Sequence, residues 1–347
     1  MLNSAYDAVL VLSFGGPEGP DEVAPFLENV LRGKNVPRER MLEVAAHYQQ
    51  FGGVSPINEQ NRQLIVQLRP SLAAAGIDLP VYWGNRNWHP LLPDTLRRMR
   101  DDGVRRAIAF VTSAFSCYSG CRQYREDIQR ARQEIGPGAP EVDKIRVFYN
   151  HPGFIEAQAE RIREATAAWS AEEFADSRLM FSAHSIPVAM AATCDYEAQL
   201  GEACRLVAER VGHRNWWLVY QSRSGPPTQP WLEPDIGVAI RQEVECNSIG
   251  RLVITPIGFV SDHMEVLFDL DTEAAALCDR LGIRWARVGT VGLHPEFVET
   301  VTELIAERVL AGAPVRSIGR FGPYPHVCPP NCCAYTPQRP AAAGGTA

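Results

Sequence analysis

Short apolar runs alternate with longer segments of helical period along the whole chain. The runs at residues 8–14, 80–84, 106–113 and 145–149 predict strands in the first half. Those at 178–182, 216–221, 251–259 and 283–288 predict four more in the second. Between them, residues 56–75, 93–102, 123–135, 154–169 and 196–211 carry the period of amphipathic helices. A βαβα order of this kind predicts parallel sheets with helices on both faces. Four strands on each side predict an α/β protein of two similar doubly wound, Rossmann-like domains that face each other across a cleft. The internal similarity is too weak to call a repeat. The expected boundaries are 1–150 and 151–293 for the two domains, then a segment at 294–327 packing back on the first, then a cysteine motif and disordered tail at 328–347.

In open α/β sheets, ligands bind outside the carboxyl ends of the strands. Here those ends read Ser13-Phe14-Gly15-Gly16-Pro17, Thr112-Ser113-Ala114-Phe115, Ser182-Ala183-His184-Ser185, Gln221-Ser222-Arg223-Ser224-Gly225 and Ser261-Asp262-His263. A helix is expected after the last of these, and it carries Glu265, Asp269 and Glu273 four residues apart. On a helix such residues stack in one column. Three carboxylates in a column repel unless a cation or a proton sits among them, which points to a route for a divalent metal. A plainer reading competes. Asp262 and Glu265 have the spacing of a helix cap with its capping-box partner. That reading accounts for Asp262 and Glu265 and leaves Asp269 and Glu273 unexplained.

Composition narrows the classes. The 347 residues carry a net charge of −7, which argues against an extended nucleic-acid surface. No apolar run approaches the ~18 residues that suggest a membrane span, and the N-terminus lacks a secretory pattern. A cytoplasmic location is the expectation, without stable membrane insertion. In that compartment a disulfide framework is not expected from the nine cysteines.

His184 ends an apolar run. Neutral imidazole is a base near neutral pH and a metal ligand. With Glu265 opposite, it would make a nitrogen–oxygen site suited to ferrous iron. The glycines at 15, 16 and 19 form no dinucleotide fingerprint, and no P-loop or nucleophile elbow is present. Arg32, Lys34, Arg38 and Arg40 form a basic patch, either a solvated face or a dock for carboxylates. Tyr48, Ser55 and Tyr124 could add hydroxyl donors. Cys328, Cys332 and Cys333 lie close together and need one more thiolate for a four-cysteine site. Cys121 is the leading candidate and Cys117 the alternative; zinc and [2Fe–2S] both accept such a set.

These residues together resemble the ferrochelatases along nearly the full chain. The resemblance rests on Leu12-Ser13-Phe14-Gly15-Gly16-Pro17, Phe51-Gly52-Gly53-Val54-Ser55-Pro56, Phe181-Ser182-Ala183-His184-Ser185-Ile186-Pro187, Gln221-Ser222-Arg223-Ser224-Gly225-Pro226 and Ser261-Asp262-His263-Met264-Glu265-Val266-Leu267. The cysteine pattern looks like that of the [2Fe–2S] members of actinobacteria and animals. The resemblance implies a chelatase-like fold and insertion of Fe2+ into a porphyrin during haem synthesis. It implies that His184 and Glu265 form the metal and proton site, with Asp269 and Glu273 as a relay. Ser55 and Tyr124 match positions that contact porphyrin propionates, with Arg32 and Tyr48 close to others. Cys121, Cys328, Cys332 and Cys333 would carry the cluster. Phe14, also expected at the porphyrin, stands where some bacterial relatives have a tyrosine that reaches the iron, so an axial tyrosine from that position is excluded.

The absence of a membrane anchor and the basic entrance favour coproporphyrin III over protoporphyrin IX as substrate. Transient contact with neighbouring enzymes of haem synthesis is the expected partnership. A chelatase for another tetrapyrrole and a non-catalytic iron or haem carrier are the competing readings.

Overall fold

The computed structural model describes residues 5–33, 36–225 and 228–336. Lys34 and Pro226, both singled out in the sequence, lie outside the described residues, as does the expected tail beyond 336.

Two four-stranded parallel sheets form the molecule. The first contains β1 (Ala8–Ser13), β2 (Val81–Asn85), β3 (Arg106–Val111) and β4 (Glu141–Lys144), in the order β2-β1-β3-β4. The second contains β5 (Arg178–His184), β6 (Trp216–Gln221), β7 (Arg251–Thr255) and β8 (Arg284–Arg287), in the order β6-β5-β7-β8. All six strand pairings are parallel. The central strands read as nearly unbroken apolar runs because helices cover both faces of each sheet. All of β1 is buried, and in β5 only Arg178 and His184 at its ends reach the surface.

One strand differs from expectation. Residues 145–149 are buried but irregular, and the strand lies just before them in the polar stretch Glu141–Lys144. That stretch is a sheet edge, where one side faces solvent and charged side chains are tolerated. The apolar run after it instead threads the core on its way to the second sheet.

The helices that matter for the site are α1 (Val23–Leu31), α2 (Arg38–Gln50) and α3 (Ile57–Ala74) in the first half. The closing helix, Pro295–Val309, packs on α3 and on the helix Pro152–Ala165. Ser71 of α3 meets Thr302 of the closing helix at 2.6 Å.

Both sheets share one winding order, so each reverses direction between its first and third strand in sequence. That reversal opens a crevice at the carboxyl ends, where ligands bind in doubly wound sheets. His184 ends β5 and Glu265 follows β7, the two strands that flank the second crevice. Phe14 follows β1 and Cys117–Cys121 follow β3, the two that flank the first.

Candidate active site

His184 and Glu265 meet across the second crevice. The Nε2 of His184 lies 3.5 Å from the Oε2 of Glu265, and both side chains stay partly exposed. The ring is held from behind. Its Nδ1 contacts the carbonyl of Ser185, and the Tyr196 hydroxyl donates to the His184 carbonyl at 3.0 Å. A neutral ring donating from Nδ1 carries its lone pair on Nε2. That lone pair then faces a carboxylate oxygen, an arrangement at rest only with a proton or a cation between them. Gly258 allows the close packing behind this strand end, since a Cβ there would stand 2.7 Å from Ala183.

Glu265 is anchored by its neighbours. Met264, 2% exposed, is buried with Phe26 of α1 and Tyr48 of α2 in a cluster contributed by the first half of the chain. The cap of this short helix is His263, whose Nδ1 accepts from the Glu265 backbone N–H at 3.3 Å. The spacing of Asp262 and Glu265 predicts that cap at Asp262. Asp262 instead accepts from the Thr290 hydroxyl at 2.7 Å and pairs with Arg287. The nearby guanidinium draws its carboxylate away from the helix end.

The acidic row also differs in form. Leu267–Ala274 is a π-helix, not an α-helix. Its i→i+5 hydrogen bonds widen the turn, a geometry frequent at functional sites. Glu265 and Glu273 are exposed, and Asp269 between them is partly buried. Asp269 accepts from Gln221 Nε2 at 3.1 Å and from the Ser222 hydroxyl. Burial raises its carboxyl to about 6, and Glu265 and Glu273 add to the rise, against the opposing pull of the Ser222 and Gln221 hydrogen bonds. The sequence reading placed Gln221 and Ser222 at a strand end without a role. Ser222 has φ +61°, a left-handed backbone that no sequence period reveals.

The lip of α2 closes over this row. His47 stacks on Phe268 with ring centroids 3.7 Å apart and planes 10° apart. Burial lowers the His47 pKa, against the pull of Glu273. Neither ring was singled out in the sequence.

The other expected porphyrin contacts lie in the first half. Phe14 is 36% exposed, packs edge-on to Phe26, and has the Arg86 guanidinium 5.7 Å from its ring centre. Arg86 also lies 4.7 Å over Tyr124, which is buried. Ser55 is buried against Gly16, where an added Cβ would stand 2.7 Å from it. Tyr48 is buried, and its hydroxyl pKa is raised by that burial and by Glu265. Arg32 is exposed.

A second group gathers beside the turn that follows β3, where Arg122 donates to the carbonyl of Cys332. Cys332 and Cys333 have sulfurs 3.5 Å apart, and the Tyr324 hydroxyl lies 3.7 Å from that of Cys332. Burial pushes the Cys333 thiol up, with Cys332, Cys121 and Cys194 adding to it. Burial also raises Cys328, with Cys332 and Cys121 adding to it. Cys121 thus lies within electrostatic reach of Cys328 and Cys333. Cys117 is occupied as the cap of a π-turn, accepting from Gly120 N at 3.1 Å. Four thiols within electrostatic reach are the donor set a [2Fe–2S] core uses. They are neighbours and not a finished coordination sphere: among the described residues, no group of three or more His, Cys, Asp or Glu is arranged to hold a metal ion. No described helix is long and apolar enough to cross a membrane.

The fold is shared with known chelatases. SirB from Bacillus subtilis, solved with Fe3+, superposes with a TM-score of 0.54 at 10% identity, over 86% of this chain and 94% of its own. CbiX, described as the terminal enzyme of sirohaem biosynthesis in denitrifying bacteria, gives 0.50 at 13% identity, over 87% and 99%. Sequence relatives are far closer. A protein of Rhodopirellula baltica named ferrochelatase is 60% identical over 340 residues, covering 98% of this chain and 97% of that protein. The coproporphyrin III ferrochelatase of Streptomyces coelicolor is 48% identical over 363 residues, covering 98% and 96%. That of Mycolicibacterium smegmatis is 48% identical over 341 residues, covering 95% and 100%. The ferrochelatase family model matches residues 6–309, and the chain is a member of the ferrochelatase family of enzymes.

Proposed function

We propose that this enzyme inserts Fe2+ into coproporphyrin III in haem synthesis, with the chemistry at His184 and Glu265. The observation that carries the reading is the 3.5 Å approach of His184 Nε2 to Glu265 Oε2 at the mouth of a sheet crevice. Metal insertion must remove two protons from the pyrrole nitrogens as one dication enters. A basic ring nitrogen can take a proton, and a carboxylate beside it can pass the metal. The row behind Glu265 extends the carboxylate path outward. Asp269, with its pKa near 6, exchanges a proton easily at working pH. Binding energy from the substrate carboxylates can bend the macrocycle and expose its nitrogen lone pairs.

The substrate choice rests on the lip and on the relatives. Arg32, Arg38 and Arg40 are exposed on or beside α2. Arginine forks suit carboxylates, and coproporphyrin carries four of them to protoporphyrin's two. Relatives at 48% identity are named for coproporphyrin III. Protoporphyrin IX is the second reading, because the relative at 60% is named ferrochelatase without that qualifier. Anaerobic assays with Fe2+ should give a higher kcat/KM on coproporphyrin III; a clear preference for protoporphyrin IX would reject the substrate assignment.

Cys121, Cys328, Cys332 and Cys333 are read as ligands of a [2Fe–2S] cluster, which would add a one-electron centre beside the turn that follows β3. Protein purified without oxygen should carry about two iron and two sulfide per chain and lose its visible absorption on Cys332→Ser. A colourless protein holding zinc would overturn this reading.

A further inference from the structure

Only two of the 34 lysine and arginine residues are lysines, Lys34 and Lys144. Everywhere else the chain uses arginine as its cation. Lys144 closes β4, and its Nζ lies 3.1 Å from the Sγ of Cys121. Cys121 sits on the π-turn that follows β3, the neighbour of β4. Two paired strands therefore bring an ammonium and a sulfur to one point.

The nearby arginines have a different task. Arg122 donates to the carbonyls of Pro330 and Cys332 at 2.7 and 3.0 Å, and Arg125 to those of Pro329 and Pro330 at 3.3 and 3.0 Å. They fasten the backbone of the cysteine loop. Among the described residues, only Lys144 directs a cationic side chain to a sulfur of this group. The chemistry explains the division. A guanidinium is a planar fork suited to paired oxygens, whereas an ammonium is a compact point charge that can approach a single atom.

We infer that Lys144 is the charge partner of the cluster, donating to the Cys121 sulfur and raising the potential of its one-electron couple. The inference rests on the cluster reading proposed above. Reduction adds one electron to a core already made anionic by four thiolates. A fixed cation at hydrogen-bond distance stabilises the more negative, reduced form more than the oxidised one. Net charge and hydrogen bonds to sulfur are the levers by which a protein sets such potentials.

The test is a potentiometric titration of the intact protein with dithionite, followed by EPR of the reduced cluster. Lys144→Met should lower the reduced-to-oxidised ratio about tenfold at the wild-type midpoint, equivalent to about 59 mV for one electron. Lys144→Arg should recover most of that loss by restoring the charge. An unchanged midpoint in a fully loaded Lys144→Met protein overturns the inference and leaves the cluster reading standing. A wild-type protein without a cluster overturns both.

Should Lys144→Met load no cluster, the wild type supplies a second readout. Reductive methylation with labelled formaldehyde marks only two side chains, and Lys34→Arg assigns the signals. The Lys144 resonance should broaden when the cluster is reduced; a Lys144 resonance indifferent to reduction overturns the inference.

Discussion

Gln221, the last residue of β6, donates from Nε2 to the Oδ2 of Asp269 at 3.1 Å. The bond ties the end of a core strand to the middle of the acidic row. It holds Asp269 in place while burial and two flanking glutamates keep its proton affinity high.

The raised carboxyl makes stability depend on pH. An aspartate in the unfolded chain titrates near 3.9, whereas Asp269 titrates at about 6 in the fold. The folded state therefore binds the proton more tightly. This contribution is fully present below about pH 4 and is lost as pH rises through about 6. Above that, the ionised group costs on the order of 2–3 kcal/mol. Asp269→Asn should raise Tm at pH 7.5, with the gain shrinking towards pH 5. The same variant should insert iron more slowly. A Tm that falls equally at both pH values would contradict this.

Ser222 opposes the rise, because its hydroxyl favours the ionised form. Ser222→Ala should move the acidic limb of the kcat profile to higher pH. Ser222→Gly should move it equally while relieving the left-handed backbone, and it should be the more stable of the two. Profiles that stay in place in both variants would remove Ser222 from the tuning of Asp269.

His47 and Phe268 join α2 to the π-helix. Aromatic pairs contribute about 0.5–1.5 kcal/mol beyond the area they bury. His47→Ala should lower the urea midpoint by a corresponding amount with an unchanged m-value. It should also change KM for Fe2+ more than kcat, since the ring stands beside Glu273 at the outer end of the row. Unaltered KM and stability would show that the stack neither braces the lip nor guards the row.

Glu202 anchors the segment that leads to the cysteine loop. It is buried, accepts from the Arg320 backbone and side chain at 2.7 Å each, and also binds Arg205. Hydrogen bonds from Arg205, followed by those from Arg320, lower its carboxyl to about 2. The stability it supplies is present above about pH 4.5 and is lost as pH falls towards 2. Glu202→Ala removes the buried acceptor of Arg320 and Arg205, whose guanidinium groups stay open to solvent, and should cost about 2 kcal/mol. It should also speed loss of visible absorption from the cysteine loop. Differential scanning calorimetry and absorption decay check the two effects.

Long amphipathic segments were the most legible part of the sequence. The helices Gln123–Ile135 and Tyr196–Val211 fall where their period places them, since each buries one clear apolar stripe. β4 was not legible, because an edge strand needs no apolar pattern while a buried crossing does. The π-helix escaped notice for another reason: residues four apart share a face closely enough in either helix that spacing cannot tell them apart. The cap moved from Asp262 to His263 because Arg287, distant in sequence, captured the carboxylate. Strand-end position singled out His184, and its approach to Glu265 is a tertiary fact. Cys194, beside the tail cysteines, carried no spacing signal at all.

Glu265 offers the most direct test of the account. Replacement by glutamine keeps size and shape and removes the charge that faces His184 Nε2. Single-turnover iron insertion into coproporphyrin III under anaerobic conditions should slow by about 10²–10⁴-fold, the range for loss of a positioned acid–base group. Porphyrin binding, followed by fluorescence quenching, should stay within about threefold, a change under 1 kcal/mol. Wild-type insertion rates in Glu265→Gln would contradict the assignment of the reaction to this pair.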